Sequence, residues 1–232
     1  MKKQRISNIY SLICNLSIIY FTIDAVWYSF RTDVIRDELW FGYTGVHSLR
    51  FFTSLSNIFV AIVAIMLLVK NIKNLVRDKY EYPHWLITLK HVATTAVAVT
   101  FVTVVVLLAP TFAVMGKGYF TLFFNNNLFM HLLTPLLAVL SYVFFEREKP
   151  VKFAESLWAL LPVGLYSILY TTMVVFIGEE NGGWKDFYNF TFGGHAWMIP
   201  ISAIGMLLLT FGLSSLLFFC HNKWQNHLEK EN

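Results

Sequence analysis

A histidine, His131, lies inside an uncharged run at residues 120–140 that has the composition of a membrane helix. An ionisable side chain at membrane depth is costly, so it marks a functional site unless a structural partner explains it. The imidazole could act as a general base, or it could join helices as a neutral hydrogen-bonding group. Pro135 has no N–H to donate to the carbonyl of His131 and therefore predicts a kink at the histidine.

The second apolar run supplies a candidate nucleophile for such a base. Thr53 lies about one turn into it, with Ser56 and Asn57 on the same helical face, and Asn127 lies four residues before His131. A threonine hydroxyl beside a base is a nucleophile, although membrane threonines more often bond their own i−4 carbonyl. Because a membrane helix leaves no free backbone N–H, Ser56, Asn57 and Asn127 are the candidate oxyanion donors.

Three further residues accompany this pair. Asp24, in the first apolar run, could orient His131, pair with Arg50, or sit protonated in a helix contact. Trp184 and Tyr188 belong to a polar, aromatic loop at 178–195 and could cap a cavity. Aromatic residues are also ordinary at membrane interfaces, which is the alternative interpretation.

The composition indicates an integral membrane protein. Of the 232 residues, 56% are hydrophobic and 14% charged, with a mean hydropathy of +0.57, whereas soluble domains carry about 25% charged residues. The net charge of +4 comes from basic residues in short segments between apolar runs, as expected for cytoplasmic loops. Nucleic acid is therefore not an expected partner.

Six runs are long enough to cross a bilayer, at residues 6–30, 51–69, 85–109, 119–145, 157–177 and 196–220. They predict a single all-α domain over 1–232, a six-transmembrane-helix bundle. One side, with both termini, the segment 70–90 and the loop 147–152, carries 13 of the 18 Lys and Arg residues. Both termini are therefore predicted to be cytoplasmic.

Depth along the runs predicts where polar side chains meet. At about 1.5 Å per residue, His131 and Asp24 lie roughly 10 Å below the outer boundary, near Thr53. The inner half of the spans looks mainly apolar, so the sequence predicts a cavity open to the outer leaflet. The histidines do not form metal-ligand spacing with carboxylates, and Cys14 and Cys220 form no CxxC pair. No metal and no cofactor are predicted.

Three blocks resemble a known family. Residues 49–62 (LRFFTSLSNIFVAI), 127–136 (NLFMHLLTPL) and 182–188 (GGWKDFY) are similar to motifs of the androgen-induced and androgen-dependent membrane threonine hydrolases. They resemble even more closely the bacterial six-span relatives known as Pr-six-Pr membrane proteins. The animal members hydrolyse fatty-acid esters of hydroxy fatty acids. In those members the proline lies one residue further from the histidine than Pro135 does here.

The resemblance implies that Thr53 is the nucleophile and His131 its base in an acyl-threonine mechanism. The predicted function is hydrolysis of a lipid ester near the outer leaflet of a bacterial cell membrane. Two alternatives remain open. A distant branch of the family acts as a lipid acyltransferase, and a non-enzymatic transporter or lipid-binding protein would use Asp24 and His131 to relay protons or hold a ligand.

Overall fold

The part of the protein that the structure describes is built from six main helices. A computed structural model describes residues 2–31, 45–146 and 151–230. The helices are α1 (Lys2–Arg31), α2 (Phe52–Arg77), α3 (His84–Val114), α4 (Phe129–Phe145), α5 (Phe153–Ile177) and α6 (Met198–Lys230). Five are long and apolar enough to cross a membrane, and α4 is a shorter apolar helix. The prediction of an all-α, multi-pass membrane protein is confirmed.

The helices run up and down, so α1 and α6 place both chain ends at the same end of the bundle. We call this the inner end; it also holds the connection at 78–83. The outer end holds the connections at 115–128 and 178–197. Helices are the expected solution because lipid offers no partner for a free backbone N–H or C=O. Most of the predicted loop 147–152, as well as Arg36, lies outside the described residues.

The fourth span differs from its prediction. A continuous helix over 119–145 was expected, but a short 3-10 helix at Tyr119–Phe123 precedes α4. Asn125 between them has a left-handed backbone (φ 54°), a conformation that asparagine tolerates better than most residues. The Asn126 carbonyl accepts the N–H groups of Phe129 and Met130 at 3.2 and 3.4 Å. The predicted start of this span at residue 119 is wrong, because the asparagines turn the chain before the helix begins.

Proline shapes two of the helices. Pro110 in α3 and Pro135 in α4 each follow a π-helical turn, at Val104–Leu108 and Phe129–Leu133. A proline cannot donate to the carbonyl four residues earlier, and a wider turn accommodates the missing bond. In α4 the Thr134 N–H donates to the Phe129 carbonyl, five residues back. The irregularity predicted beside Pro135 is therefore a π-helical turn, with His131 at its centre.

The main core lies towards the inner end. Apolar side chains of α1, α2, α3, α4 and α6 pack there around Tyr142, which is fully buried. Helix α5 is peripheral by comparison. In the most apolar 18-residue stretch of each helix, 11% of the residues of α5 are buried, against 44% of those of α2. Helix α5 therefore presents most of its surface to lipid.

Candidate functional site

A cavity opens between the outer ends of α2, α3, α5 and α6. It encloses about 590 Å³, its open mouth included, and its described lining residues carry no charge. Apolar side chains alternate with hydroxyls in the wall. The hydroxyls belong to Thr53, Thr100, Thr103, Ser167 and Thr171, together with Tyr166, Tyr170 and Tyr188. Such a cavity suits a ligand that is largely apolar and has a few uncharged polar atoms.

Thr53 lies in the first turn of α2 and lines this cavity. Its backbone carbonyl accepts hydrogen bonds from Ser56 Oγ at 3.1 Å and Asn57 Nδ2 at 2.8 Å. Its own hydroxyl has no hydrogen-bond partner among the described residues. Because α2 begins at Phe52, the residue four places before Thr53 is not part of the helix. The helical carbonyl that a membrane threonine usually bonds is therefore missing.

Asn57 joins α2 to the segment that carries the histidine. Besides the bond to Thr53, its Nδ2 donates to the Met130 carbonyl at 3.2 Å. Both amide protons are thus directed at backbone carbonyls, while Oδ1 is buried with no partner among the described residues. Ser56, also buried, lies 3.0 Å from Thr100 Oγ1 on α3. In this arrangement Ser56 and Asn57 hold helices together, and their protons are not free for a substrate.

His131 is half-buried on the π-helical turn of α4. Its Nδ1 lies 2.7 Å from the Leu122 carbonyl. A carbonyl oxygen only accepts, so Nδ1 carries the proton and Nε2 of the neutral ring is the acceptor. Phe123 meets the ring edge to face, 6.5 Å between centroids. The 3-10 helix before α4 therefore fixes the tautomer that a general base requires.

Thr53 and His131 lie on neighbouring helices, α2 and α4, but are not hydrogen-bonded to each other. No hydrogen bond between described residues joins them, and His131 is not among the described residues that line the cavity. Asn57 lies one turn inward of Thr53, and it bonds the carbonyl of Met130, the residue just before His131. The two side chains thus lie at the same level of the bundle.

Asp24 contacts Asn126, whereas the asparagine singled out in the sequence is the neighbouring Asn127. Asn126 Nδ2 donates to Asp24 Oδ2 at 2.7 Å and to the Asp24 carbonyl at 3.3 Å. Within the described residues, Asp24 therefore pairs with neither Arg50 nor His131. Asn127 lies at the start of α4, beside this contact. Asp24 holds the turn from which α4 begins.

The outer loop closes one end of the cavity. Trp184 packs with Tyr170 and Phe187 in an aromatic cluster, and the Arg50 guanidinium lies 6.0 Å over its ring. Tyr188 lines the cavity, and its hydroxyl accepts the Phe52 N–H at 3.1 Å, which caps the first turn of α2. Burial raises the pKa of Tyr188 to about 12, so the phenol stays neutral.

Asp186 organises this loop and was not singled out in the sequence. Its carboxylate accepts four hydrogen bonds, from the Tyr170 hydroxyl at 2.6 Å, the Phe190 N–H at 3.0 Å, and the N–H and hydroxyl of Thr191 at 2.8 and 2.6 Å. A carboxylate with this many donors is a structural anchor. The anchor keeps Tyr188 in place at the start of α2, where it bonds the Phe52 N–H.

The expectation of a mainly apolar inner half is wrong. Lys90 and Glu146 are both fully buried there, 3.5 Å apart. Lys90 Nζ donates to Asn15 Oδ1, and Asn15 Nδ2 donates to Glu146 Oε1, each at 3.0 Å. Ser11 Oγ also donates to Glu146 Oε1, at 3.4 Å. A buried charge pair with several hydrogen bonds therefore ties α1, α3 and α4 together.

Further amides extend this inner network. Tyr82 donates to Asn71 Oδ1 at 2.6 Å and lies 3.0 Å from Asn8 Oδ1, while Asn74 Nδ2 reaches Asn8 Oδ1 at 3.4 Å. Burial raises the pKa of Tyr82, which keeps its hydroxyl a donor. The sequence carried a signal for this network, since Asn8, Ser11 and Asn15 recur on one face of α1.

His91 and His221 are buried in the same half. Ser214 Oγ donates to the Ser156 carbonyl at 2.8 Å and therefore accepts from His91 Nε2, also at 2.8 Å. His91 Nδ1 in turn accepts from the Tyr142 hydroxyl at 3.0 Å. His221 Nδ1 donates to the Tyr142 carbonyl at 2.8 Å. These histidines act as neutral links between helices.

Comparisons with known proteins give no further guide to the chemistry. No protein-family model, no curated protein and no solved structure matches the chain. A search of the described residues finds no group of three or more His, Cys, Asp or Glu side chains that could hold a metal ion. The outer cavity and its side chains are therefore the features of the molecule that indicate a function.

Proposed function

We propose that the protein hydrolyses an uncharged lipid ester, with Thr53 as nucleophile and His131 as general base. The observation that carries the proposal is the environment of Thr53. Its hydroxyl has no partner among the described residues and lies in the wall of a mostly apolar, uncharged cavity at the outer end. The Leu122 carbonyl supports the role of His131, because it leaves Nε2 as the acceptor.

The proposed chemistry proceeds in two steps. Thr53 Oγ1 attacks the ester carbonyl and its proton moves to His131 Nε2, directly or through one water. The bond to the alcohol breaks, the alcohol takes the proton from His131, and an acyl-threonine remains. Water then attacks that ester, again with His131 as the base, and releases the fatty acid. No hydrogen bond between described residues joins Thr53 and His131, so this transfer requires one water between them or an approach of the two side chains.

Hydrolysis of a long-chain fluorogenic ester by the purified protein in mixed micelles tests the proposal. We expect Thr53→Ala and His131→Gln each to lower the rate by at least about a hundredfold. The same variants should lose labelling by a fluorophosphonate probe. Thr172→Ala is the matched control, because that exposed threonine bonds the Ile168 carbonyl in its own helix. Hydrolysis and labelling that persist in both variants would exclude the Thr53–His131 pair.

A second candidate function is non-enzymatic binding or transport of the same kind of lipid. The absence of His131 from the described lining of the cavity favours it. If the purified protein binds such a lipid specifically but neither hydrolyses it nor reacts with the probe, this second function is supported. The acyltransferase alternative shares the acyl-threonine step. It is distinguished by a product that forms only when a second lipid bearing a hydroxyl group is added.

A further inference from the structure

The hydroxyls that line the outer cavity fall into two groups. Five are engaged in hydrogen bonds within the protein. Thr171 donates to the Ser167 carbonyl, Tyr166 to the Arg50 carbonyl and Tyr170 to Asp186, while the remaining two bond Ser56 and the Phe52 N–H. Three have no such partner among the described residues, and these are Thr53, Thr103 and Ser167.

Thr103 and Ser167 differ from most other threonines and serines of α3 and α5, whose hydroxyls are bonded within the protein. On α3, Thr88 and Thr95 bond the carbonyl four residues earlier, at 3.2 and 2.9 Å, whereas Thr94 and Thr103 have no hydroxyl partner among the described residues. The Thr103 oxygen is buried just before the π-helical turn Val104–Leu108. An unpaired buried hydroxyl costs free energy, and π-helical turns are frequent at functional sites.

We infer that Ser167 and Thr103 bind the carbonyl oxygen of an uncharged lipid ester in the outer cavity. Both residues line the cavity together with Thr53, on α5, α3 and α2 respectively. Each hydroxyl has a proton to donate, and an ester oxygen accepts without bringing a charge. The identification of the ligand as an ester rests on the proposed function.

The lining also selects against charged ligands. No described lysine, arginine or histidine side chain lines the cavity to pair with a phosphate or carboxylate. Burying an unpaired charge is far more costly than burying an ester oxygen that accepts a hydrogen bond. The cavity therefore favours a neutral ester over a phospholipid headgroup or a free fatty-acid carboxylate.

Binding can be measured without turnover. Isothermal titration in detergent would use a straight-chain ketone, which has a carbonyl but cannot be hydrolysed, and the matched ether and carboxylate. We expect Ser167→Ala and Thr103→Val each to weaken ketone binding about fivefold and to leave ether binding unchanged. The carboxylate should bind at least about tenfold more weakly than the ketone.

Two matched variants control for packing. Thr94→Val removes another buried hydroxyl of α3, one that has no partner among the described residues and does not belong to the described lining. Thr172→Val removes a hydroxyl of α5 that bonds the Ile168 carbonyl in its own helix. Neither should change ketone affinity. If a cavity variant does not fold, the ketone and ether affinities of the unaltered protein give the same information, because equal affinities would overturn the inference.

The outcome separates this inference from the proposed function. Hydrolysis that depends on Thr53, with ketone affinity unchanged in Ser167→Ala and Thr103→Val, would overturn the inference alone. Ketone binding that depends on Ser167 and Thr103, in a protein that hydrolyses no ester, would support the binding site and overturn the hydrolase. Tighter binding of the carboxylate than of the ketone would also overturn the inference.

Discussion

The two ends of this bundle use buried polar side chains in opposite ways. At the inner end, Lys90, Glu146 and the surrounding amides bond one another across three helices. At the outer end, Thr53, Thr103 and Ser167 line a cavity, and their hydroxyls have no partner among the described residues. Most of the inner groups thus satisfy one another, although Glu146 Oε2 and His221 Nε2 are buried without a partner among the described residues. The outer hydroxyls are available to a ligand that enters the cavity.

This difference separates stability from function within one small membrane domain. A buried network in which most groups are paired fixes how helices pack and is costly to break. Unpaired hydroxyls contribute little to that packing, so their removal should change the affinity for a ligand more than the stability of the fold. Substitutions at the two ends should therefore have different signatures.

The largest effect is expected at the inner end. Lys90→Met leaves Glu146 buried with no opposite charge and should destabilise the protein by about 3–5 kcal/mol. Replacing both residues, in Lys90→Met/Glu146→Leu, should restore most of that loss because no lone charge remains. Thermal unfolding in detergent measures both.

Lys79→Met is the matched control for that experiment. Lys79 forms an ion pair with Glu81 at 3.0 Å, but both side chains are about two-thirds exposed (68% and 66%). Exposed pairs contribute little to stability, so this variant should unfold close to the unaltered protein. A double variant no more stable than Lys90→Met would refute the buried-charge explanation.

A smaller effect on stability and a larger one on activity are expected for Asn57→Leu. The change removes the hydrogen bonds from α2 to the Thr53 and Met130 carbonyls and should cost about 1–2 kcal/mol. Because these bonds set the position of Thr53 relative to α4, ester hydrolysis should fall roughly tenfold. Unfolding and turnover are measured on the same preparation.

Asn74→Leu tests whether that loss of activity is specific to the outer end. Asn74 lies on the same helix but bonds Asn8 in the inner network, at 3.4 Å. It should lower stability by a similar amount and leave hydrolysis unchanged. Equal losses of activity in the two asparagine variants would show that the ends are not separate in function.

The smallest effect is expected for Tyr188→Phe. The Phe52 N–H would lose its acceptor at the start of α2, at a cost of about 0.5–1 kcal/mol. Tyr20→Phe, on an exposed tyrosine of α1, should have no effect on the unfolding temperature. An identical unfolding temperature for Tyr188→Phe would indicate that the outer loop does not cap α2.

Hydrophobic length was enough to predict the helices, because only helices satisfy the backbone in lipid. It failed at the start of α4, where residues 119–124 are mostly apolar but Asn125 adopts a left-handed turn. The choice between a turn and a further helical turn depends on Asn126 bonding Asp24, 102 residues away. Such a contact leaves no trace in local composition.

The outer site was easier to locate than the inner network. Thr53 and His131 lie in runs that contain no Lys, Arg, Asp or Glu, whereas Lys90 and Glu146 lie near the ends of their spans and resemble interfacial charges. The bond between Asn15 and Glu146 joins residues 131 positions apart, so only the fold reveals it. Thr103 and Ser167 were missed because a membrane threonine or serine usually bonds its own helix.

The exposure of α5 to lipid affects how fast a ligand can reach the outer cavity. It forms one wall of the outer cavity, and most of its surface faces lipid. A molecule dissolved in the bilayer can therefore meet the cavity by sideways diffusion, without first entering water. The rate of encounter then depends on the mole fraction of that molecule among the surrounding lipids, so diluting the membrane with inert detergent slows the protein even when the total ligand added is constant.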